Sequence, residues 1–89
     1  MSNVFIAFQD NEDSRPIIDA ILADNAKAEA TYPTGLVKII APDNLVIKRE
    51  SIEELIGRSF NLQQIHVNLV TLSGHIDEDD DQFSLSWTH

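Results

Sequence analysis

The sequence predicts an α+β domain made of two strand–helix–hairpin (βαββ-like) halves, with two main helices packed on mainly antiparallel sheet. Three observations carry this. VFIAF near the start is a continuous apolar run of β-formers, and a stripe of isoleucines at helical spacing follows it. The order strand, helix, two strands then recurs, once over about residues 4–40 and again over about 45–88. Residue similarity between the halves is weak, so the repeat is one of topology.

Val4–Phe8 reads as a strand covered on both faces, because it is apolar at every position. Asp13 or Ser14 can cap the helix that follows, and Pro16 suits its first turn, where a missing N–H costs little. Ile17, Ile18, Ile21 and Leu22 form its apolar stripe, and Asn25 stops it. Ala26 to Thr31 alternates small apolar with polar residues, as a half-buried strand does. Tyr32-Pro33-Thr34-Gly35 supplies a turn, and Leu36 to Ile40 returns as the hairpin partner.

After a second turn at Ala41-Pro42-Asp43-Asn44, Leu45 to Arg49 is a short strand. Ser51-Ile52-Glu53-Glu54 matches a capping box, which predicts a helix with Ile52, Leu55 and Ile56 inward and a stop at Gly57. Ile65 to Leu72 is expected to be the longest strand, with Ile65, Val67 and Leu69 on one face and His66 and Asn68 on the other. Phe83, Leu85 and Trp87 alternate with Ser84 and Ser86, so the first three are expected in the core.

The 89 residues suffice for a single domain, and a 43% apolar fraction argues for a folded core. Six basic residues against fifteen acidic give a net charge of −9, which repels phosphate backbones and anionic lipid. Nucleic acid and membrane are therefore not expected partners. No leader is read at the N-terminus, since MSNVFIAFQDN has no positive charge before its apolar run, and the expected location is the cytoplasm. The absence of cysteine excludes thiol catalysis, disulfides and cysteine-ligated metal centres.

No motif in the chain suggests catalysis. The histidines His66, His75 and His89 share no ligand spacing, and His66 reads as a surface-facing or hydrogen-bonded sheet residue. No GxSxG or SxxK activates a serine, and no GxGxxG or P-loop points to a nucleotide. Arg49, Glu50, Glu53 and Glu54 read as a solvated face around a helix start.

The remaining puzzle is the five consecutive acids Asp77–Asp81. Asp77-x-Asp79-x-Asp81 opens like a calcium loop, but the glycine and glutamate such a loop needs are replaced by Gln82 and Thr88. Composition alone leaves a solvated loop and a docking surface evenly matched. Position between two core strands tips the reading towards docking. No catalytic, cofactor-binding or metal residue is assigned, and the chain reads as a module that binds another macromolecule. An isolated isomerase using Asp or His as a base, and a generic acidic adaptor with no redox connection, are the competing readings.

FIAFQDNEDSRPIIDAI, LVKIIAP, LVIKRESIEELIGR and VNLVTLSGHIDEDDDQFSLSW closely resemble the effector (regulatory or coupling) component of bacterial multicomponent phenol hydroxylases. The regulatory proteins of soluble methane monooxygenase and the toluene monooxygenases belong to the same group. The resemblance runs end to end. It implies a cofactor-free protein of two βαββ-like halves that docks on the large subunit of a diiron hydroxylase, in a canyon above the iron-ligand helices. It further implies a functional link to an NADH-dependent flavin/iron–sulfur reductase, and coupling of NADH and O2 use to aromatic hydroxylation. The methane-oxidising relatives have longer tails, so nothing about those tails carries over.

The residues expected to carry docking are Ser73, Gly74, His75, Asp77, Glu78 and Asp79, with Asn68 and Thr71 as exposed neighbours on the preceding strand. Gly74 would permit a positive φ or close approach to a partner helix. Asp10, Asn11 and Glu12 form a second candidate surface before the first helix.

Overall fold

The computed structural model describes residues 3–87. Strand β1 (Asn3–Gln9) leads through a polar loop into helix α1 (Arg15–Asp24), followed by β2 (Glu29–Thr31) and β3 (Leu36–Pro42). Strand β4 (Asn44–Lys48) then runs directly into α2 (Arg49–Ile56). A 3-10 turn at Leu62–Gln64 continues into the single-turn helix α3 (Ile65–Asn68), and β5 (Leu69–Ser73), β6 (His75–Glu78) and β7 (Gln82–Ser86) complete the chain.

The strands form two antiparallel sheets, ordered β2-β3-β1-β5 and β4-β7-β6. Within each, the second strand of the hairpin lies beside the opening strand: β3 beside β1, and β7 beside β4. The same order thus recurs, and β5 is an addition that crosses to pair with β1 of the other sheet. Val4, Ile6 and Phe8 on β1, Ile39 on β3, Leu45 and Ile47 on β4 and Phe83 and Leu85 on β7 are all fully buried, as is Ile21 of α1. They belong to one apolar cluster shared by both sheets.

The first helix follows its sequence signals closely. Pro16 sits in the opening turn and Asn25 caps the other end. Ser14 occupies the N-cap position without using its hydroxyl there; the Ser14 amide instead donates to Asn11 Oδ1 at 3.0 Å. Asn25 does more than stop the helix. Its Nδ2 donates to Ile21 O and Val46 O at 2.8 and 2.7 Å, and its Oδ1 accepts from Val46 N at 3.0 Å, fastening α1 to the edge strand β4.

Several expectations are corrected. The alternation at Ala26–Thr31 yields only the three-residue β2, because the chain is still turning out of α1 at Ala26 and Lys27. Helix α2 begins at Arg49, not after Ser51, so the capping box is not used. Tertiary bonds start it earlier: Arg49 N donates to Asp81 O at 2.9 Å, and the Arg49 guanidinium pairs with Asp81 and Glu53. Leu55 is 56% exposed, whereas Ile52 is buried and Ile56 half-buried.

The stretch expected as one long strand is helical as far as Asn68. Leu62, Ile65 and Leu69 fit helical spacing as well as Ile65, Val67 and Leu69 fit alternation, and the core takes the former set. Val67 is left 74% exposed and Asn68 buried. Trp87 is 43% exposed rather than in the core, with its indole N–H donating to Asn3 O at 2.9 Å. Of the residues named in the sequence reading, Thr88 and His89 lie outside the described residues.

Candidate docking surface

The stretch from β5 to β7 places the expected site residues on strands more than on a loop. Register fixes their faces. Leu72 lies opposite Ile6 and points to the core, so Thr71, opposite Ala7, is on the outer face and exposed. Val70 is the extra residue of a β-bulge, since Leu69 pairs with Phe8 and Thr71 with Ala7.

Ser73 closes β5 opposite Phe5, and Gly74 then carries the chain from one sheet to the other. Its φ is +140°, and a Cβ there would lie 3.0 Å from Val4 Cγ1. The close approach expected of Gly74 is therefore to the protein's own core. His75, Ile76, Asp77 and Glu78 follow on β6, all exposed, at the free edge of the second sheet.

The five acids divide by role. Asp77 is on the outer face of β6, opposite Ser84. Glu78 Oε2 is 2.9 Å from His66 Nε2, and the His66 ring stands edge-on to Phe83 at 5.8 Å between centroids, so this pair ties α3 to β6. Asp79 Oδ1 accepts from the amides of Asp81 and Gln82, both at 2.8 Å, shaping the β6–β7 turn. Asp81 bonds Arg49 at 2.7 Å. Asp77 and Asp80 have no side-chain bond among the described residues.

Arg49, expected on a merely solvated face, organises this end of the molecule. The bonds to Asp81, then Glu53, hold its guanidinium more firmly protonated. Glu53 Oε2 also accepts from Phe60 N at 2.8 Å. That backbone donor first, and Arg49 second, lower the Glu53 pKa below the ordinary glutamate range.

The second candidate surface is joined to the first by one contact. Asn11 Nδ2 donates to Asn68 Oδ1 at 3.0 Å, while Asn11 Oδ1 receives the Ser14 amide. Asn11 and Asn68 are thus positioning residues, and Asn68 is not the exposed strand residue expected of it. Asp10 and Glu12 flank Asn11 and are exposed. Sequence reasoning missed the apolar members: Val67, Val70 and Ile76 are respectively 74%, 47% and 41% exposed in the same stretch. Strict alternation places Val67 inward, and the signal against it in the sequence is the competing helical spacing of Leu62 and Ile65.

No group of three or more His, Asp or Glu residues capable of holding a metal occurs among the described residues. No helix among the described residues is long and apolar enough to cross a membrane. The charged strand β6 at a sheet edge and the exposed aliphatics Val67, Val70 and Ile76 are features that a protein-docking surface would use.

Comparison with known proteins makes this specific: the chain belongs to the MmoB/DmpM family, whose pattern matches residues 2–86. It is 42% identical over 86 residues to the stimulatory component DmpM of phenol 2-monooxygenase from Pseudomonas sp. (strain CF600), covering 97% of this chain and 96% of that protein. A chain in a solved phenol hydroxylase–regulatory protein complex superposes with a TM-score of 0.94 at 42% identity, over 98% of this chain and 100% of the other. The soluble methane monooxygenase regulatory protein B shares the fold, with a TM-score of 0.75 at 18% identity over 97% of this chain and 65% of that one. These relatives are effector proteins rather than catalytic subunits.

Proposed function

We propose that this chain is the stimulatory component of a multicomponent phenol (aromatic) monooxygenase. In the cytoplasm it docks on the diiron hydroxylase, on the large subunit in the canyon above the iron-ligand helices. Docking couples the NADH and O2 consumed through a flavin/iron–sulfur reductase to hydroxylation of substrate. The observation that carries this reading is end-to-end likeness to a phenol hydroxylase stimulatory component at 42% identity.

An effector acts without touching the reacting atoms. It shifts the hydroxylase between states by its differential affinity for them, and a coupling of about 1–3 kcal/mol changes the ratio about 5–150-fold. The surface supplies two kinds of contribution. His75, Asp77, Glu78 and Thr71, with Asp10 and Glu12, present polar or charged groups to the partner, and the acids steer association. Ser73, Gly74, Asp79, Asn11 and Asn68 hold that surface in shape.

Calorimetric titration of a phenol hydroxylase oxygenase component with this chain tests the reading. Saturable binding near one chain per active site is expected. Absence of binding to a hydroxylase that binds its own effector would overturn the proposal.

A further inference from the structure

We infer that Arg49 is a positioning residue for docking: without facing the partner, it fixes where the edge strand β6 stands relative to α3, and so the spacing of the two candidate surfaces. The inference rests on the docking role proposed above and adds a residue that lies outside both surfaces.

Arg49 stands apart from the other basic residues. The chain has six of them against fifteen acids. Among the described residues, Arg49 is the one lysine or arginine paired with a carboxylate. It pairs with two, Glu53 at 3.0 Å through Nη1 and Asp81 at 2.7 Å through Nη2. Its amide also donates to Asp81 O at 2.9 Å, which carries the β4–β7 ladder one step beyond the Lys48–Gln82 pair. Backbone and side chain of Arg49 thus both grip the β6–β7 turn.

These bonds belong to a closed ring. Glu53 Oε2 accepts from Phe60 N, and from Phe60 the chain runs through the 3-10 turn Leu62–Gln64 into α3. His66 of α3 meets Glu78 of β6 at 2.9 Å. From Glu78 the turn shaped by Asp79 leads back to Asp81 and Arg49. One more bond joins the ring to the second surface, since Asn68 of α3 accepts from Asn11, between Asp10 and Glu12. Strand β6 has little else to hold it: it is four residues long and pairs only with β7.

The link to Asp81 contributes geometry more than stability. The Asp81 side chain is 77% exposed, and an ion pair that open to water adds little to folding free energy. Arginine suits the place because its planar fork reaches two carboxylates at fixed angles, which the single ammonium of lysine does not. Two surfaces held at a set spacing leave little to be ordered on binding.

Charge and position predict opposite results. Arg49→Gln leaves this end of the molecule one charge more negative. If Arg49 acted through charge alone, a basic partner surface would then be met faster, and the half-saturating concentration in stimulation assays would fall. Positioning predicts that it rises by about 2–30-fold, the span for residues that couple to a site without touching it. Arg49→Lys, which keeps the charge without the fork, should lie between wild type and Arg49→Gln. Asp77 makes no bond to Arg49, so combining Arg49→Gln with Asp77→Asn tests the route. Independent contributions would add, whereas a displaced edge makes the double variant little worse than Arg49→Gln alone.

Half-saturation that is unchanged or lowered in Arg49→Gln, or effects that add in the double variant, would overturn the inference while wild-type stimulation left the effector role standing. A wild-type chain that stimulates no phenol hydroxylase able to respond to its own effector would remove the effector role, and the inference with it. Thermal unfolding shows whether each variant is folded at the assay temperature. If Arg49→Gln is not, wild-type half-saturation in Arg49→Lys overturns the inference, and a raised value supports it.

Discussion

Glu53 shows how a residue that looks like ordinary surface charge becomes structural. Its carboxylate accepts from Phe60 N and Arg49, and its pKa is lowered as a result. A lowered carboxylate pKa contributes stability that is present above the unfolded-state value and lost as pH falls through the folded-state value. The stability gap between wild type and Glu53→Gln should therefore be widest at neutral pH and close on acidification, as read by thermal unfolding across pH. Trp87 moves the other way. Alternation with Phe83 and Leu85 suggested a core position, but the indole is 43% exposed and held by one bond to Asn3 O. Trp87→Ala should cost about 1–2 kcal/mol, well below the roughly 3–5 kcal/mol of a fully buried tryptophan. Urea unfolding followed by circular dichroism checks this. Both misreadings have one cause: an i, i+2 or i, i+4 pattern records what the backbone offers, while long-range partners decide which offers are taken.

At the scale of elements, what could be read was whatever the sequence encodes locally. The run Val4–Phe8, the isoleucine stripe of α1 and the Gly57 stop after α2 correspond to observed structure. The misreadings arise where two local codes compete or a distant contact intervenes. Residues 62–69 satisfy helical and strand spacing together, and burial of Leu62 and Ile65 selects the helix. The start of α2 is set by Asp81, thirty-two positions away from Arg49. The acidic block was legible as a surface but not as an edge strand, because its pairing with β7 depends on how Gly74 passes Val4. Asn25 offers a test of such long-range ties. Asn25→Ala removes the two bonds to Val46 that join α1 to β4, and the one back to Ile21 O at the end of α1. It should destabilise the protein by about 2 kcal/mol or more, and hydrogen exchange at the Val46 amide should quicken.

For the whole molecule, a net charge of −9 is placed so that it serves the protein before it meets a partner. Glu78 and Asp81 each bridge separate elements, Asp79 shapes a turn, and the charged free edge of β6 discourages pairing with a second copy. In the docking proposed above, Asp77 and Glu78 of this edge face the partner. The combined change Asp77→Asn, Glu78→Gln, Asp79→Asn keeps the acceptor oxygens that bind His66 and shape the turn, so the fold should persist. Association with the hydroxylase should slow at low salt and lose much of its salt dependence, measured by stopped flow. Unchanged association would move docking away from this edge.

The central claim is that this chain raises the productive use of electrons by a partner without chemistry of its own. The direct measurement combines a phenol hydroxylase oxygenase component, its reductase, NADH and phenol, then titrates in this chain while recording catechol formed and NADH consumed. The account predicts saturation near one chain per active site, with more catechol per NADH at saturation than in its absence. A hydroxylase that responds to its own effector, but whose product per NADH stays flat as this chain is added, would contradict it.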